Sequence, residues 1–549
     1  MELDRTVPLS AAPKRARYGS WTALLVLAAV ALLARVVDLD HLPWTDELYT
    51  MLAARGWLET GMPAIQGGGV YERADLYTIL TASFLALFGD NLIVARLPAV
   101  LAGTFLVLAV FLWTRAVCDT RTAWIAALFM ALAPLSIQAS QFARFYSLHA
   151  LLFWLAAIAL YATVDWWPSW RSAVAAGAAV VCLWFAQHLQ LTTMIGAMGL
   201  CAWLGTAVIL PWIWRQPGAR RLWWFLGLAL VGVGALLFLV LSGIAGGLFE
   251  RYRWTPLHNA ALRNQVWFYH INLIERWPTL WPIFPFTVLI AVAAWPRPAL
   301  FCFLIFTTTF LVVSFAGMKH LNYLFIVYPF LFVLWAIAIA SVWPYLRRAV
   351  PAVTDRALRR VALELPRGPV SAVLIALAVG FLILANGAPA RTLLKPLGLA
   401  LNRDVIQIDW RPARAMLQPW LDETEVVLTP NDVHALFYLD RYDITLNGSR
   451  LSEFEGDEFE SDPRTGRPVI SSLASLAKVI DCIPSGLIVT DDLMYGAEWG
   501  LNPAMLELLE KRARPLEAPP DLHAFYWEHP PAPAPSEACT EIARKVGDG

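Results

Sequence analysis

Charge is what this sequence has least of. Only 15% of its 549 residues are Asp, Glu, Lys or Arg, against about 25% in an ordinary soluble domain. Lysine supplies just six of the 42 bases. The six cysteines are too few for a disulfide-stapled secreted module, and no internal repeat is visible. The bases do not gather in one patch, so no nucleic-acid partner is indicated. What fills the chain instead is apolar: 58% hydrophobic residues and a mean hydropathy of +0.56. These values exclude a disordered chain or an ordinary cytosolic enzyme and point to an integral membrane protein.

A net charge of zero hides two unlike parts. Residues 389–549 hold 26 acids and 15 bases, a balance of −11, and residues 1–388 hold 16 acids and 27 bases, a balance of +11. A span needs roughly 20 apolar residues. Candidates are 19–37, 91–113, 122–139, 145–163, 172–187, 190–212, 222–243, 279–296, 299–316, 321–343 and 369–388, about eleven in all. The expected organisation is a cytoplasmic N-terminus over 1–18, a transmembrane body over 19–388 and a soluble extracytoplasmic α/β domain over 389–549. The first span is read as retained, because no small-residue cleavage site follows it.

Orientation follows the excess of Lys and Arg on cytoplasmic loops. Lys14, Arg15 and Arg17 put the N-terminus inside, and Arg115, Arg121, Arg215, Arg220, Arg221 and the stretch from Arg347 to Arg367 fall on the same side. This parity requires 76–88 to lie along the membrane surface and leaves the C-terminal domain outside the cytoplasm. In that domain Glu425–Thr429 and Gly486–Thr490 read as strands, with helices near 411–421, 431–439, 471–480 and 503–513. The run Pro530–Pro535 reads as an extended tail. An oxidising exterior permits one disulfide between Cys482 and Cys539.

Half of the 16 acids in the membrane body lie in one outward loop, 38–90. His41-Leu-Pro-Trp-Thr-Asp-Glu-Leu-Tyr49 carries two adjacent carboxylates, and Pro43 with Thr45 predicts a turn capping a short helix that begins at Asp46. A second string, Val70-Tyr71-Glu72-Arg73-Ala74-Asp75, sets another carboxylate beside a guanidinium. On spacing alone Asp46 also reads as a simple helix cap.

Asp46-Glu47 after the first span resembles the acidic signature of the GT-C glycosyltransferases, in the branch of protein O-mannosyltransferases and lipid A aminoarabinose transferases. The resemblance continues through Tyr71-Glu72-Arg73, Phe88-Gly89-Asp90-Asn91 with Ala95-Arg96-Leu97-Pro98, Ala133-Pro134, Ala143-Arg144-Phe145-Tyr146, and Lys319-His320-Leu-Asn-Tyr323 before Pro329. It covers about the first 340 residues. Ala74 departs from it, standing where proline is common, and the outer domain carries no matching motif.

The resemblance implies transfer of a sugar, with inversion, from a polyprenyl-phosphate donor in the membrane to a lipid, glycan or protein acceptor at the outer face of a bacterial cytoplasmic membrane. It makes Asp46 the general base, Glu47 its supporting or structural neighbour in the catalytic group, and Glu72 a cavity acid for acceptor or metal. Arg73, Arg144 and Lys319 become cations for the donor phosphate, while Arg144 also reads as a snorkelling base at a span end. Arg96 is assigned to fixing the start of the second span. Tyr71, Tyr323, His258 and Trp267 are placed in the cavity or in a lid formed by the long loop 246–278, whose tryptophans equally fit an interfacial belt. Some relatives bind a divalent metal near the acidic loop. His258 with Glu72 could do so here, but no ligand spacing supports it, and no metal ligands are assigned. The rival expectation is a polytopic transporter, which would carry midplane polar groups and internal symmetry.

Overall fold

The computed structural model describes residues 19–66, 69–71, 73–241, 265–316, 319–360, 408–530 and 537–547. The apolar helix α1 (Gly19–Val36) leads by a short loop to the polar α2 (Thr45–Thr60), which ends at Gly61 with φ 76°, a conformation that suits glycine. The next helix, α3 (Asp75–Phe88), has 14 residues, about 21 Å of length, short of a ~30 Å hydrocarbon core. It buries Tyr77, Thr81 and Leu85 and leaves Leu87 and Phe88 exposed.

The long α4 (Leu92–Val117) starts where the Asn91 side chain accepts the Val94 amide at 3.0 Å. The pair α5 (Thr120–Leu132) and α6 (Pro134–Gln141) meets at a 54° bend. Pro134 causes it: the ring keeps Ala133 extended and removes the N–H that would bond the Met130 carbonyl. A side chain from α1 fills that gap. Arg35, fully buried, donates to the carbonyls of Met130 and Ala131 (both 3.4 Å), to Ser136 Oγ (2.8 Å) and to Ser140 Oγ (3.0 Å).

The body continues with α7 (Tyr146–Asp165), α8 (Trp170–Leu189), α9 (Thr192–Trp214), α10 (Gly218–Leu241), α11 (Phe268–Arg276), α12 (Phe284–Ala294), α13 (Pro296–Phe315), α14 (Asn322–Phe325) and α15 (Tyr328–Arg360). Its centre is aromatic, with Trp113 packed edge-on against Trp154 and Tyr161. Among the described residues six helices are long and apolar enough to cross a membrane, or seven if the bent pair counts as one. Where 279–296 reads as a span, Pro282 and Pro285 delay helix formation and leave only the 11 residues of α12. The candidate 369–388 lies outside the described residues.

The C-terminal part is built on a seven-stranded sheet. Its elements are α16 (Ala413–Glu423), β1 (Val426–Thr429), α17 (Asp432–Leu439), β2 (Ile444–Leu446), α18 (Gly448–Phe454), β3 (Glu460–Ser461), β4 (Pro468–Ile470), α19 (Leu473–Cys482), β5 (Ser485–Asp491), α20 (Pro503–Arg512), β6 (Arg514–Leu516), β7 (Leu522–Glu528) and α21 (Glu537–Gly547). The strand order is β3-β4-β2-β1-β5-β7-β6, parallel from β4 to β5 and antiparallel at both edges. This domain sits on α2: Leu48, Tyr49, Leu52 and Ile65 share one apolar cluster with Trp410, Leu417, Val433 and Leu436. Most of the Pro530–Pro535 run lies outside the described residues.

Cys482 and Cys539 form a disulfide with a Cα–Cα distance of 5.0 Å, tying α21 back to α19. The closed loop of 57 residues is worth about 4 kcal/mol in the chain-entropy account. Replacing both cysteines by serine is expected to lower the unfolding midpoint of the sheet domain, read by thermal denaturation with and without reductant.

Candidate active site

The chemistry gathers where α2 begins. Asp46 lies in the first helical turn, where backbone N–H groups favour a negative charge, and its side chain is 53% exposed. Glu47, the next residue, is fully buried. One oxygen of Glu47 accepts from Arg96 Nε (2.8 Å) and the Ala143 amide (2.7 Å); the other accepts from Arg96 Nη2 (2.8 Å) and the Trp44 amide (3.0 Å). Arg96 also donates to the carbonyls of Leu39 (2.7 Å) and His41 (2.9 Å). The pair thus joins the α1–α2 loop, α2, α4 and the α6–α7 linker. With four donors on its two oxygens and no exposed surface, Glu47 holds the site's frame.

That frame delivers Arg144. Fixing the Ala143 amide on Glu47 turns the linker so that the next side chain, only 4% exposed, meets Asp46. Arg144 Nη2 lies 3.3 Å from Asp46 Oδ2, and Nη1 donates to the Asp46 carbonyl (3.3 Å), to Thr50 Oγ1 (3.4 Å) and to the Tyr71 hydroxyl. Its buried Nε has no partner among the described residues. Among the described residues one guanidinium N–H is thus left without an acceptor, beside a half-exposed carboxylate.

Three residues that the motifs contained without a role complete the cluster. Tyr146 lies beside Arg144 and Asn322. His320 senses both charges: burial holds its pKa below the ordinary 6.5, Asp46 pulls it up and Arg144 pushes it down. Its Nδ1 accepts the Asn322 amide at 3.2 Å, and its backbone is held by the Tyr269 hydroxyl. The signal for His320 was its place next to Lys319 in a loop with little other charge.

Other expected site residues fare differently. Tyr71 bonds Arg144 directly, and Tyr323 packs on His320 with ring centroids 5.8 Å apart. Lys319 adjoins the cluster in sequence, yet its ammonium donates to the carbonyls of Val313 (3.2 Å), Ser314 (2.7 Å) and Ala316. All three of its donors cap the end of α13, so it offers none to a phosphate in this geometry. Arg73 is exposed on the bend before α3. Trp267 is 67% exposed at the start of α11, edge-on to His270. Glu72 and His258 lie outside the described residues. Among the described residues no three His, Cys, Asp or Glu side chains come together as a metal set.

Ala74, the departure from the family pattern, has φ 55°. A proline ring cannot adopt that angle, so this turn suits alanine better than the usual residue. Away from the cluster, a cavity of about 300 Å³ opens between Asp40, His41, Arg55 and the sheet domain's Arg411 and Tyr438; none of the Arg144 group lines it.

The fold is shared with known structures. ArnT from Cupriavidus metallidurans, in the apo state and bound to undecaprenyl phosphate, superposes with a TM-score of 0.58 at 18% identity, covering 92% and 93% of this chain and 98% of ArnT. The archaeal oligosaccharyltransferase AglB from Archaeoglobus fulgidus, in complex with an inhibitory peptide and a dolichol-phosphate, gives a TM-score of 0.56 at 14% identity over 95% of this chain and 77% of AglB. Both are GT-C glycosyltransferases, and this chain has their fold. No protein-family model and no curated protein matches the sequence.

The two neighbouring acids should behave oppositely. Glu47→Ala strands the buried Arg96 and should destabilise the protein by about 3–5 kcal/mol. Asp46→Asn, at a half-exposed ion pair, should change stability by about 1 kcal/mol or less. Thermal unfolding of the purified variants in detergent measures both.

Proposed function

We propose that this chain is an inverting glycosyltransferase that moves a sugar from a polyprenyl-phosphate donor to a lipid, glycan or protein acceptor. The observation that carries this reading is Arg144: a buried guanidinium whose Nε–H has no partner among the described residues, next to the half-exposed Asp46, within a GT-C fold. A neighbour of that fold has been solved with undecaprenyl phosphate bound.

The chemistry divides between those two groups. The donor phosphate meets Arg144, whose fork geometry suits phosphate oxygens. As it binds, it competes with Asp46 for the guanidinium and leaves the carboxylate freer to accept a proton. The acceptor hydroxyl attacks the anomeric carbon from the face opposite the phosphate and gives its proton to Asp46. The bond between that carbon and the phosphate oxygen breaks, its electron pair stays on the phosphate, and Arg144 stabilises the developing charge. The products are the glycosylated acceptor, with inverted configuration, and the polyprenyl phosphate. Where the acceptor is itself a phosphate, as in lipid A modification, Asp46 orients it instead of deprotonating it. Glu72 belongs to the acceptor side of this reading, and Arg73 to the donor phosphate.

Orientation in a bacterial cytoplasmic membrane is part of the proposal. Within α4, Arg96 at the site and Arg115 near the far end are separated by about 29 Å of helix. The basic turn at Arg115 and Arg121 thus lies opposite the site, which by the positive-inside rule supports a site and sheet domain facing out of the cytoplasm.

The test is transfer by purified full-length protein from a panel of polyprenyl-phosphate sugars to lipid, glycan and peptide acceptors. Asp46→Asn should lower turnover roughly 10²–10⁴-fold with unfolding unchanged, and Arg144→Ala should raise the donor concentration needed. Equal turnover in wild type and Asp46→Asn would remove Asp46 as the base.

A further inference from the structure

The sheet domain reaches the Arg144 cluster through an unbroken set of contacts. Asp462, fully buried, is bonded by Arg450 (2.8 Å) and by Arg464 (3.1 Å), so the turn between β3 and β4 is pinned from within. Arg464 also pairs with Asp432 at the start of α17 (3.1 Å). Its guanidinium then leaves its own domain: it donates to the Tyr49 hydroxyl on α2 and lies 5.1 Å from that ring's centroid. Tyr49 stacks on Tyr71, with centroids 5.8 Å apart and planes at 4°. The Tyr71 hydroxyl ends the series on Arg144.

The same turn seats the segment that carries Tyr71. Gly69 packs so close to it that a Cβ there would sit 1.6 Å from the Arg464 carbonyl oxygen. Arg467 donates to the Gln66 carbonyl at 2.8 Å. Within the segment, the Ile65 amide bonds Gly69 and the Tyr71 amide bonds Pro63, both at 2.8 Å. Two independent features, a side-chain series and a backbone seat, thus fix Tyr71 from the sheet domain.

We propose that Arg464 is a positioning residue for Arg144: by holding Tyr49 and the backbone at Gly69, it keeps the Tyr71 hydroxyl on the guanidinium and sets the direction in which Arg144 meets a phosphate. The phosphate half of this statement rests on the glycosyltransferase reading; the positioning half does not. The sheet domain is then part of the active site's construction, although it contributes no group to the reaction. Arg464 touches no reacting atom and acts through two tyrosines.

The test uses the full chain in detergent and two readouts. The first needs no ligand: the rate at which phenylglyoxal modifies Arg144, followed by mass spectrometry. The second is binding of undecaprenyl phosphate. Arg464→Ala should raise the labelling rate and weaken binding, each roughly tenfold, the scale of one hydrogen bond to a charged group. Arg464→Lys, which keeps a donor for Tyr49, should recover most of both. Tyr49→Phe should move both in the direction of Arg464→Ala, and the double variant should be no worse than Arg464→Ala alone, because the two residues act in series.

The control is Arg441→Ala, which removes contacts to the Leu421, Thr424 and Glu425 carbonyls inside the same domain and should leave both readouts as in wild type. If Arg464→Ala matches Arg441→Ala in labelling, or if Arg464→Ala and Tyr49→Phe add fully, the proposal is overturned. If wild type fails to bind undecaprenyl phosphate while labelling still responds to Arg464→Ala, the donor reading falls and the positioning role stands.

Discussion

The buried ion pair of Glu47 and Arg96 is the constraint on which the site depends. A buried charge pair lasts only when every remaining donor and acceptor is met, and here the backbone meets them: Trp44, Ala143, Leu39 and His41 all contribute. Those bonds fix the α1–α2 loop at three points and the α6–α7 linker at a fourth. The pair therefore acts less as a source of stability than as a jig, setting the angle at which α2 offers Asp46 and the linker offers Arg144. The dipeptide is thus split, with one carboxylate turned wholly inside and its neighbour left half exposed.

Much of this was legible in advance, for reasons that differ by region. The helices and two central strands of the sheet domain announce themselves by periodicity, and β1 and β5 fall within a residue or so of expectation. The short strands β2, β3 and β4, of two or three residues, are too brief for any pattern to show. The stretch 279–296 yields a helix of only 11 residues, because hydropathy alone does not register what Pro282 does to a helix start. Burial by protein and burial by lipid also look identical in composition.

The site was legible as a set of motifs but not as a division of labour. Adjacent acids carry no sign of which one turns inward; only the arrival of Arg96, 49 residues later, decides it. Lys319 stood out because charge is scarce around it, yet a helix end with open carbonyls is also an electrostatic partner, and α13 claims it. His320 and Tyr146 sat beside the residues that drew notice. The contact of Arg464 with Tyr49 spans 415 positions and has no local signature at all.

Arg35 carries a consequence for how the chain is assembled. Arg35 sits in the last turn of α1, where the guanidinium of a lone helix reaches up to the headgroups, and the groups that receive it here, from Met130 to Ser140, are synthesised about a hundred residues later. Until they emerge from the ribosome, α1 has every reason to ride shallow, with its guanidinium among the lipid headgroups. The seating of α1 is thus completed by residues far along the chain, and the proline elbow at 134 is what lets it settle.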